Sequence, residues 1–345
     1  MILSEKIIRK ADELGIHQCG IIRVEAVQDY SDRLKERMDR IENGAALYSP
    51  FMHFADVKSQ FPWAKSIVVA VEHYGHYKLP AGVEETFGKY YLVDSRYNSE
   101  ALENQRLVSL ERYMNELGIK TESSIHPGFT ALRWAAHKAG LGIIRKNNFL
   151  YTDMGSWLTI HAWAIDAEEE YIHSPSLPQC PVNCGKCIQA CPTKSLSEPY
   201  TMNMGTCISR LTTRGLTEAD WDNPSLKTEN WLYGCDACQN VCPMNQNKWE
   251  YKDDFPRLAE ISQVLSPQKI LAMTYQELEE KLMGKFFYIK RDELWRWKIN
   301  AIRVMVHQYN EAYLEDIANA RTDEFKIVRN KADWALGKIH NKETM

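Results

Sequence analysis

"GCDACQNVCPMN" (residues 234–245) places three cysteines at C-x-x-C-x-x-x-C spacing, with a proline directly after the last cysteine. The segment "CGKCIQACPT" (184–193) has the same pattern, so that every cysteine and the proline recur 51 positions later. Two further cysteines, Cys180 and Cys207, complete two sets of four. Prolines and short polar stretches fill the rest of residues 173–255, which carry little apolar material for a core. We therefore expect this segment to depend on bound metal for its fold.

Clustered thiols of this kind have three interpretations. Two C-x-x-C pairs suit one zinc ion held by four thiolates, and a single pair suits a thioredoxin-like disulfide. Each of these leaves at least half of the eight clustered cysteines without a role. In bacterial two-cluster ferredoxins every cysteine of such a run is a cluster ligand, because the run ends in C-x-x-x-C-P and its last cysteine ligates the other cluster. We therefore predict two [4Fe–4S] clusters, with zinc and the disulfide as the alternatives.

Crossed ligation of this type assigns the ligands. The first predicted cluster takes Cys180, Cys184, Cys187 and Cys242. The second predicted cluster takes Cys191, Cys207, Cys235 and Cys238. The ninth cysteine, Cys19, stands apart and is expected to be a small buried apolar side chain. Two adjacent clusters conduct electrons but form no substrate pocket, so we expect the pocket in the longer N-terminal segment.

The composition is that of an ordinary globular protein. The chain has 345 residues, 44% hydrophobic and 26% charged, and this length suggests roughly two or three domains. Its net charge of −4 argues against a strongly basic surface for nucleic acid. The sequence predicts no membrane span, and "MILSEKIIRKADELG" at the N-terminus lacks the features of a signal peptide. We therefore expect a cytoplasmic protein, and a reducing compartment disfavours structural disulfides.

Residues 1–172 are predicted to form an α/β domain. Continuous or alternating apolar runs indicate its strands, and apolar residues at helical spacing indicate its helices. Ser99 and Thr130 are the predicted N-caps of two helices, and Gly118 is expected to end the first of them. The predicted strands span residues 17–24, 66–74 and 156–165, and the predicted helices span residues 4–14, 99–118 and 130–140.

Residues 256–345 are predicted to be helical. A capping box formed by Thr274 and Glu277 starts one helix, and two longer amphipathic helices are predicted over residues 291–310 and 324–340. This alternation fits a short stack of HEAT-like helical pairs that leans on the rest of the protein. The predicted fold class is α+β: an N-terminal α/β domain, a bacterial ferredoxin-like domain for two [4Fe–4S] clusters, and a HEAT-like helical tail.

The cysteine runs resemble those of a known family. Together with "CISRLTT" (207–213), they are similar to the corresponding segments of the epoxyqueuosine reductases, which are cobalamin-dependent enzymes with two [4Fe–4S] clusters and are related in layout to reductive dehalogenases. The similarity continues through most of the chain, in "PWAKSIVVAVEHYG" (62–75), "AAHKAGLGIIRKNNFL" (135–150), "GSWLTIHAWAID" (155–166) and "VRNKADWALGKI" (328–339).

The resemblance implies a cofactor and a reaction. The N-terminal domain would bind cobalamin with its lower base displaced, and the clusters would pass single electrons to the cobalt, which then reduces an electrophilic carbon. In epoxyqueuosine reductase this carbon belongs to an epoxide on the wobble nucleoside of a tRNA, and an aspartate donates the proton. The implied partners are a small-molecule or tRNA substrate and a low-potential electron donor such as flavodoxin or ferredoxin. We expect the protein to be a monomer.

The implied catalytic residues depart from the family pattern. Where the family has its proton-donating aspartate, in a V-D-[ST]-G-like stretch, this sequence has His126. An imidazolium titrates near neutrality and can donate a proton, although His126 can also approach cobalt, contact the substrate or serve only the loop. The D-Y-H stretch of the family is Arg96-Tyr97-Asn98 here. The Tyr97 phenol is expected to assist proton transfer or bind a corrin amide, and the alternative is packing.

Further cobalamin contacts are also implied by the resemblance. Trp134 is expected to pack on the corrin or to fill the core. Arg145 and Lys146 are expected to meet corrin carboxamides, a nucleotide tail or a substrate phosphate, and the alternative is a solvated basic turn. With Asn147 they replace the G-K-N of the family. The implied cobalamin-binding residues are His126, Tyr97, Trp134, Arg145, Lys146 and Asn147.

Two functions fit these observations. The first is a cobalamin- and [4Fe–4S]-dependent reductase, acting on the tRNA epoxide or, because the acid–base residues differ, on another electrophile. The second is an iron–sulfur protein that delivers low-potential electrons to a partner or a corrinoid and performs no substrate chemistry itself. The potentials of [4Fe–4S] clusters cover both functions, so the sequence does not choose between them.

Overall fold

An antiparallel sheet organises the N-terminal part of the chain. The computed structural model describes residues 2–123, 128–174 and 177–343. The strands within these residues are β1 (Gln18–Arg23), β2 (Ser66–His73), β3 (Thr121–Glu122), β4 (Ile143–Ile144), β5 (Leu150–Tyr151) and β6 (Leu158–Ile165). The main sheet has the order β1-β2-β6-β3 with all neighbours antiparallel, and β4 pairs with β5. The three longest strands confirm the three predicted from the sequence.

Helices cover both faces of this sheet. α1 and α6 lie on one face and α7 on the other. The helices of this part are α1 (Leu3–Glu13), α2 (Tyr30–Arg40), α3 (Gly44–Tyr48), α4 (Val57–Gln60), α5 (Lys89–Leu92), α6 (Leu102–Glu116) and α7 (Leu132–Lys138). The predicted caps of α6 and α7 are wrong. Ala101 rather than Ser99 is the N-cap of α6, and Ala131 rather than Thr130 is the N-cap of α7. Gly118 does follow α6 in the left-handed conformation, at φ 78°, as expected for a helix stop.

The central strand β2 is buried along its whole length, because each face of the sheet carries its own core. Its side chains point alternately to the two faces, as the twofold period of a strand requires. Val69 and Val71 belong to the core that includes α7, whereas Val68 and Ala70 belong to the core that includes α1 and α6. The continuous apolar run of β2 therefore reflects burial on both faces rather than a parallel sheet.

The cysteine-rich segment has little regular structure. Its helices are single turns, α8 (Lys186–Gln189), α9 (Ile208–Arg210) and α10 (Ala237–Asn240). Its own apolar core consists of Cys187, Cys191 and Leu196, with a few half-buried neighbours. Such a small core agrees with a segment whose fold relies on a bound metal centre.

The C-terminal part is helical, as predicted. Its helices are α11 (Leu258–Ser262), α12 (Pro267–Ala272), α13 (Tyr275–Leu278), α14 (Trp295–His307), α15 (Tyr313–Asn319) and α16 (Lys326–Glu343). The capping box is confirmed, because the Thr274 hydroxyl accepts from the Glu277 N–H and the Glu277 carboxylate accepts from the Thr274 N–H. No helix within the described ranges is long and apolar enough to cross a membrane.

The helical tail shares one core with the rest of the protein. Trp297 of α14 is fully buried and stacks on Tyr233 of the cysteine-rich segment, with ring centroids 5.1 Å apart and an interplanar angle of 12°. Phe87, from the N-terminal part, packs against Trp297 at 6.2 Å. This core crosses the predicted boundaries at residues 172 and 255. The three predicted segments therefore pack together, and their division into separate domains stays a prediction.

Candidate active site

A cavity of about 700 Å³ lies between the sheet and the cysteine-rich segment. Its walls come from α2, α7, β6 and the two cysteine runs. Leu158 and Ile160 of β6 form an apolar wall, while Tyr30 and Trp134 contribute aromatic rings. A cavity of this size with a mixed lining is typical of sites that bind a cofactor or a small molecule.

One of the two predicted ligand sets borders this cavity. The four cysteines in its lining are Cys191, Cys207, Cys235 and Cys238. The pKa of the Cys238 thiol is raised by burial and then by the neighbouring Cys235 and Cys207. The four cysteines therefore share one wall of the cavity, although they come from two runs and from the segment between them.

The other predicted ligand set lies elsewhere. Among the described residues that line the cavity, Cys180, Cys184, Cys187 and Cys242 do not occur. The pKa of the Cys187 thiol is raised by burial first, then by Cys242, and also by Cys180. Cys242 thus lies beside the first run even though it belongs to the second. This proximity is compatible with crossed ligation, and the assignment of the eight ligands to two clusters stays a prediction.

The donor set fits iron–sulfur clusters better than the two alternatives. All nine cysteines, each within the described ranges, are free thiols. In the part of the chain that the structure describes, no three His, Cys, Asp or Glu side chains converge closely enough to hold one metal ion. A zinc site would require four sulfurs around a single ion, each about 2.3 Å from it. Two groups of four thiols match in number the eight ligands of two [4Fe–4S] clusters.

Arg145 and Lys146 serve the cysteine loop rather than the cavity. The Lys146 ammonium donates to the backbone carbonyls of Pro181, Val182 and Cys184 at 2.8, 2.7 and 2.9 Å. Arg145 donates to the carbonyl of Pro178 at 2.8 Å and lies 3.7 Å from the Cys180 sulfur. Both side chains are buried, so the expected solvated basic turn is wrong. Their donors are committed to the loop that carries Cys180 and Cys184, and neither residue lines the cavity within the described chain.

Asn147 and Trp134 do line the cavity. The Asn147 amide donates to the Tyr151 hydroxyl at 2.9 Å and to the Cys238 carbonyl at 3.4 Å, which ties this loop to the second cysteine run. The Trp134 indole N–H donates to Asp29 at 2.8 Å, and its half-buried ring lines the cavity and also packs against the core that includes α7.

The two predicted catalytic residues lie in different situations. His126 lies outside the described residues, but Gly128 and Thr130, which follow it in the chain, line the cavity. Tyr97 packs on Phe287 with ring centroids 4.5 Å apart and is 41% exposed. It does not itself belong to the cavity lining that the structure describes, whereas its neighbour Arg96 does. Burial raises the pKa of Tyr97 to about 12, although Arg96 opposes this shift, so the phenol keeps its proton at neutral pH.

Several charged residues of the cavity were not predicted. Arg33, Arg37 and Arg40 project from α2 into its lining, and Arg133 does so from α7. The spacing of the three α2 arginines places them on one helix face, which is a signal that the sequence does contain. Asp236, between two cysteines of the second run, is buried, and burial raises the pKa of its carboxyl.

The cavity and the eight clustered cysteines together indicate an iron–sulfur oxidoreductase. Residues 179–245 match the family described as a 4Fe-4S double cluster binding domain. A protein of Leadbetterella byssophila named epoxyqueuosine reductase is 30% identical, over 70% of this chain and 80% of that protein. The chain belongs to the epoxyqueuosine reductase family.

Other relatives agree over nearly the whole length. The epoxyqueuosine reductase of Bacillus subtilis is 28% identical over 98% of this chain and 88% of that protein. A crystal structure of an epoxyqueuosine reductase with an epoxyqueuosine-modified tRNA-Tyr stem loop has a TM-score of 0.75 and 26% identity, over 98% of this chain and 90% of that one. The resemblance inferred from the cysteine runs is therefore confirmed, and the protein is an oxidoreductase related to these enzymes.

Proposed function

We propose that this protein is a cobalamin-dependent reductase whose corrinoid lies in the cavity and receives electrons through the iron–sulfur clusters. One observation carries the proposal: Cys191, Cys207, Cys235 and Cys238 border the same cavity as the N-terminal elements. A cluster held by these cysteines would lie at the cavity wall. A corrinoid bound there would supply a cobalt centre that accepts electrons one at a time and acts on carbon.

The lining supports a group of this kind. Leu158 and Ile160 offer an apolar surface to the face of a large ring, and Thr130 and Asn147 offer polar groups to its edge. In this proposal Trp134 borders the ring, while Arg145 and Lys146 act indirectly by holding the cysteine loop. We keep the roles proposed for the three segments: 1–172 binds the corrinoid, 173–255 holds the clusters and 256–345 is a HEAT-like support.

Protons must reach the substrate as well as electrons. The Tyr97 phenol is protonated at neutral pH and lies next to Arg96, which lines the cavity and is held by Asp94 at 2.8 and 2.9 Å. We propose that Tyr97 and His126 are the proton-donating pair. Their test is substitution: Tyr97→Phe and His126→Ala should lower turnover strongly while leaving cluster and corrinoid spectra unchanged, and unchanged turnover would exclude the residue concerned.

The corrinoid is tested by reconstitution. Protein purified without oxygen, with iron and sulfide restored, is mixed with cobalamin, and bound corrinoid is measured after gel filtration. About one corrinoid per chain, with a spectrum in which the lower base has left the cobalt, supports the proposal. Intact clusters without any bound corrinoid would contradict it and would favour the alternative function, electron delivery to a partner.

The substrate is an electrophilic carbon compound, for which a tRNA epoxide is one candidate. The relative bound to a modified tRNA stem loop supports this candidate. The change of the family's acid to His126 and the net charge of −4 favour a different electrophile. A gel shift with an epoxyqueuosine-containing tRNA at physiological salt separates the two. A shift, followed by epoxide reduction with a strong reductant, establishes the tRNA substrate, and failure of both removes it.

A further inference from the structure

Two arginines from different helices converge on one asparagine at the cavity wall. Arg37 of α2 donates to the side-chain oxygen of Asn148 at 3.1 Å. Arg133 of α7 donates to the backbone carbonyl of the same residue at 2.7 Å. All three residues line the cavity. The contacts therefore gather hydrogen-bond donors from three separate segments at one place.

Asn148 contributes a further donor that has nothing to bind. Asn148 is 5% exposed, and its backbone has the left-handed conformation, with φ 64°. Because an arginine can only donate, the amide oxygen must face Arg37 and the amide nitrogen must face away. This nitrogen is buried and has no hydrogen-bond partner among the described residues. Such a donor is costly to leave unpaired unless a ligand accepts from it.

The charges of this group are not compensated by the protein. On the same face of α2, Arg33 and Arg40 both contact the carboxylate of Glu36, at 3.3 and 2.7 Å. Within the described ranges, no carboxylate forms an ion pair with Arg37 or Arg133; the polar partner of both is Asn148. The Arg133 side chain is exposed within the cavity, and the surrounding protein lowers its pKa by desolvation, while Tyr30 opposes this shift and the positive charge of Arg37 adds to it. Two like charges that repel each other at a cavity wall favour a bound anion.

We infer that Arg37, Arg133 and Asn148 form an anion subsite, which takes a phosphate or carboxylate group of the molecule bound in the cavity. Guanidinium groups match both anions through paired N–H donors, and Asn148, which accepts from both arginines, holds the two side chains side by side. If the anion belongs to the substrate, the substrate class becomes an anionic electrophile.

The same chemistry has two possible sources in the cavity. One is the substrate, and the other is the phosphate in the nucleotide tail of a cobalamin. The choice between them rests on the proposed function, whereas the subsite itself does not. The experiment is therefore divided into a titration with inorganic phosphate, which needs no corrinoid, and a comparison of two corrinoids.

The first arm measures phosphate binding by calorimetry, with the full-length, cluster-loaded protein at constant ionic strength. Loss of one charge-assisted contact should weaken binding by roughly 10-fold to 100-fold in Arg37→Met and in Arg133→Met. Arg40→Met is the matched control, because it removes the same charge from the cavity lining, but its partners are the carboxylates of Glu36 and Glu198. Arg37→Lys should restore part of the affinity, and unchanged iron content and circular dichroism identify folded variants.

The second arm compares cobalamin with cobinamide, a corrinoid without the nucleotide tail and its phosphate. If the tail supplies the anion, Arg37→Met and Arg133→Met weaken cobalamin binding and leave cobinamide binding unchanged. Phosphate then also competes with cobalamin for the wild-type protein. If the substrate supplies it, both corrinoids bind the variants as they bind the wild type, and phosphate still binds the corrinoid-loaded protein. Either pattern supports the subsite.

Two results would overturn the inference. The first is that the wild-type protein fails to bind phosphate at millimolar concentration. The second is that Arg40→Met loses as much affinity for phosphate as the two test variants, because the titration would then report only the general positive charge of the cavity. Failure of both corrinoids to bind contradicts the proposed function alone, because the phosphate titration still decides the subsite.

Discussion

Lys146→Met should release iron from one cluster and spare the other. The ammonium of Lys146 bonds three carbonyls of the loop that carries Cys180 and Cys184. Hydrogen bonds to a charged group contribute about 1.5–3 kcal/mol each. Two effects reduce their sum: Pro181 and Val182 are exposed, so their carbonyls regain water, and the variant no longer buries a charge. We therefore expect the loop to open more readily by about 2–4 kcal/mol, roughly 30-fold to 1,000-fold in the opening equilibrium.

The assay is iron release to a chelator under anaerobic conditions. Two [4Fe–4S] clusters hold about eight irons per chain, so the variant should lose about four of them quickly and keep the rest. Lys194→Met is the matched control, because this lysine is exposed and donates one bond, to the Gln189 carbonyl at 3.2 Å. The reasoning is refuted if Lys146→Met retains all its iron at the wild-type rate, or if both clusters are lost together.

Three further predictions concern the clusters and the fold. Cys180→Ala and Cys242→Ala should each remove one cluster, and the double variant should lose no more iron than either single variant; additive losses would contradict crossed ligation. Burial lowers the pKa of Lys331 to about 6, so the unfolded state binds its proton more tightly; wild-type stability should rise as the pH increases from about 6 to 10. Lys331→Met should reduce that rise, most clearly between pH 6 and 8, because Lys285 and Arg303 have folded-state pKa values lowered to about 8 and about 9 and contribute above this range. An unchanged pH dependence of the free energy of unfolding in denaturant titrations would refute this. Gly140→Ala should cost about 2–4 kcal/mol, because φ is 72° and a Cβ there would lie 1.8 Å from a backbone oxygen, whereas Gly337→Ala, with open space in α16, should not destabilise.

The parts that the sequence predicts correctly depend on local patterns. The strands follow from apolar runs, and the capping box at Thr274 follows from a four-residue motif, so neither needs knowledge of distant contacts. The first residues of helices are harder to predict from the sequence. Ser99 and Thr130 are good N-cap residues when only their local sequence is considered, but neither caps its helix. The Thr130 hydroxyl instead donates to the carbonyl of Phe54, 76 positions away, and tertiary contact overrides the local preference.

The cavity was less accessible to sequence reasoning because its contacts are distant in the chain. Arg37 and Asn148 are 111 positions apart, and Lys146 reaches loop carbonyls at least 35 positions away. A basic pair such as Arg145 and Lys146 suggests a solvated turn or a ligand contact, and no periodicity reveals that both side chains are buried. The spacing of arginines on α2 was visible, but the sequence alone does not show which wall that face lines.

The two cysteine groups differ in their surroundings, and this difference gives the predicted electron path a direction. The group that contains Cys191 borders the cavity, so in the proposed function electrons would reach the bound molecule from this group. The loop of the other group presents Val182, which is 91% exposed, to solvent. A donor protein such as flavodoxin or ferredoxin would therefore approach beside Cys180 and Cys184, on the loop that Lys146 holds. In this proposal Lys146 would act at the entrance of the path and the arginines of the cavity at its end, so variants of the two sites should separate electron entry from ligand binding.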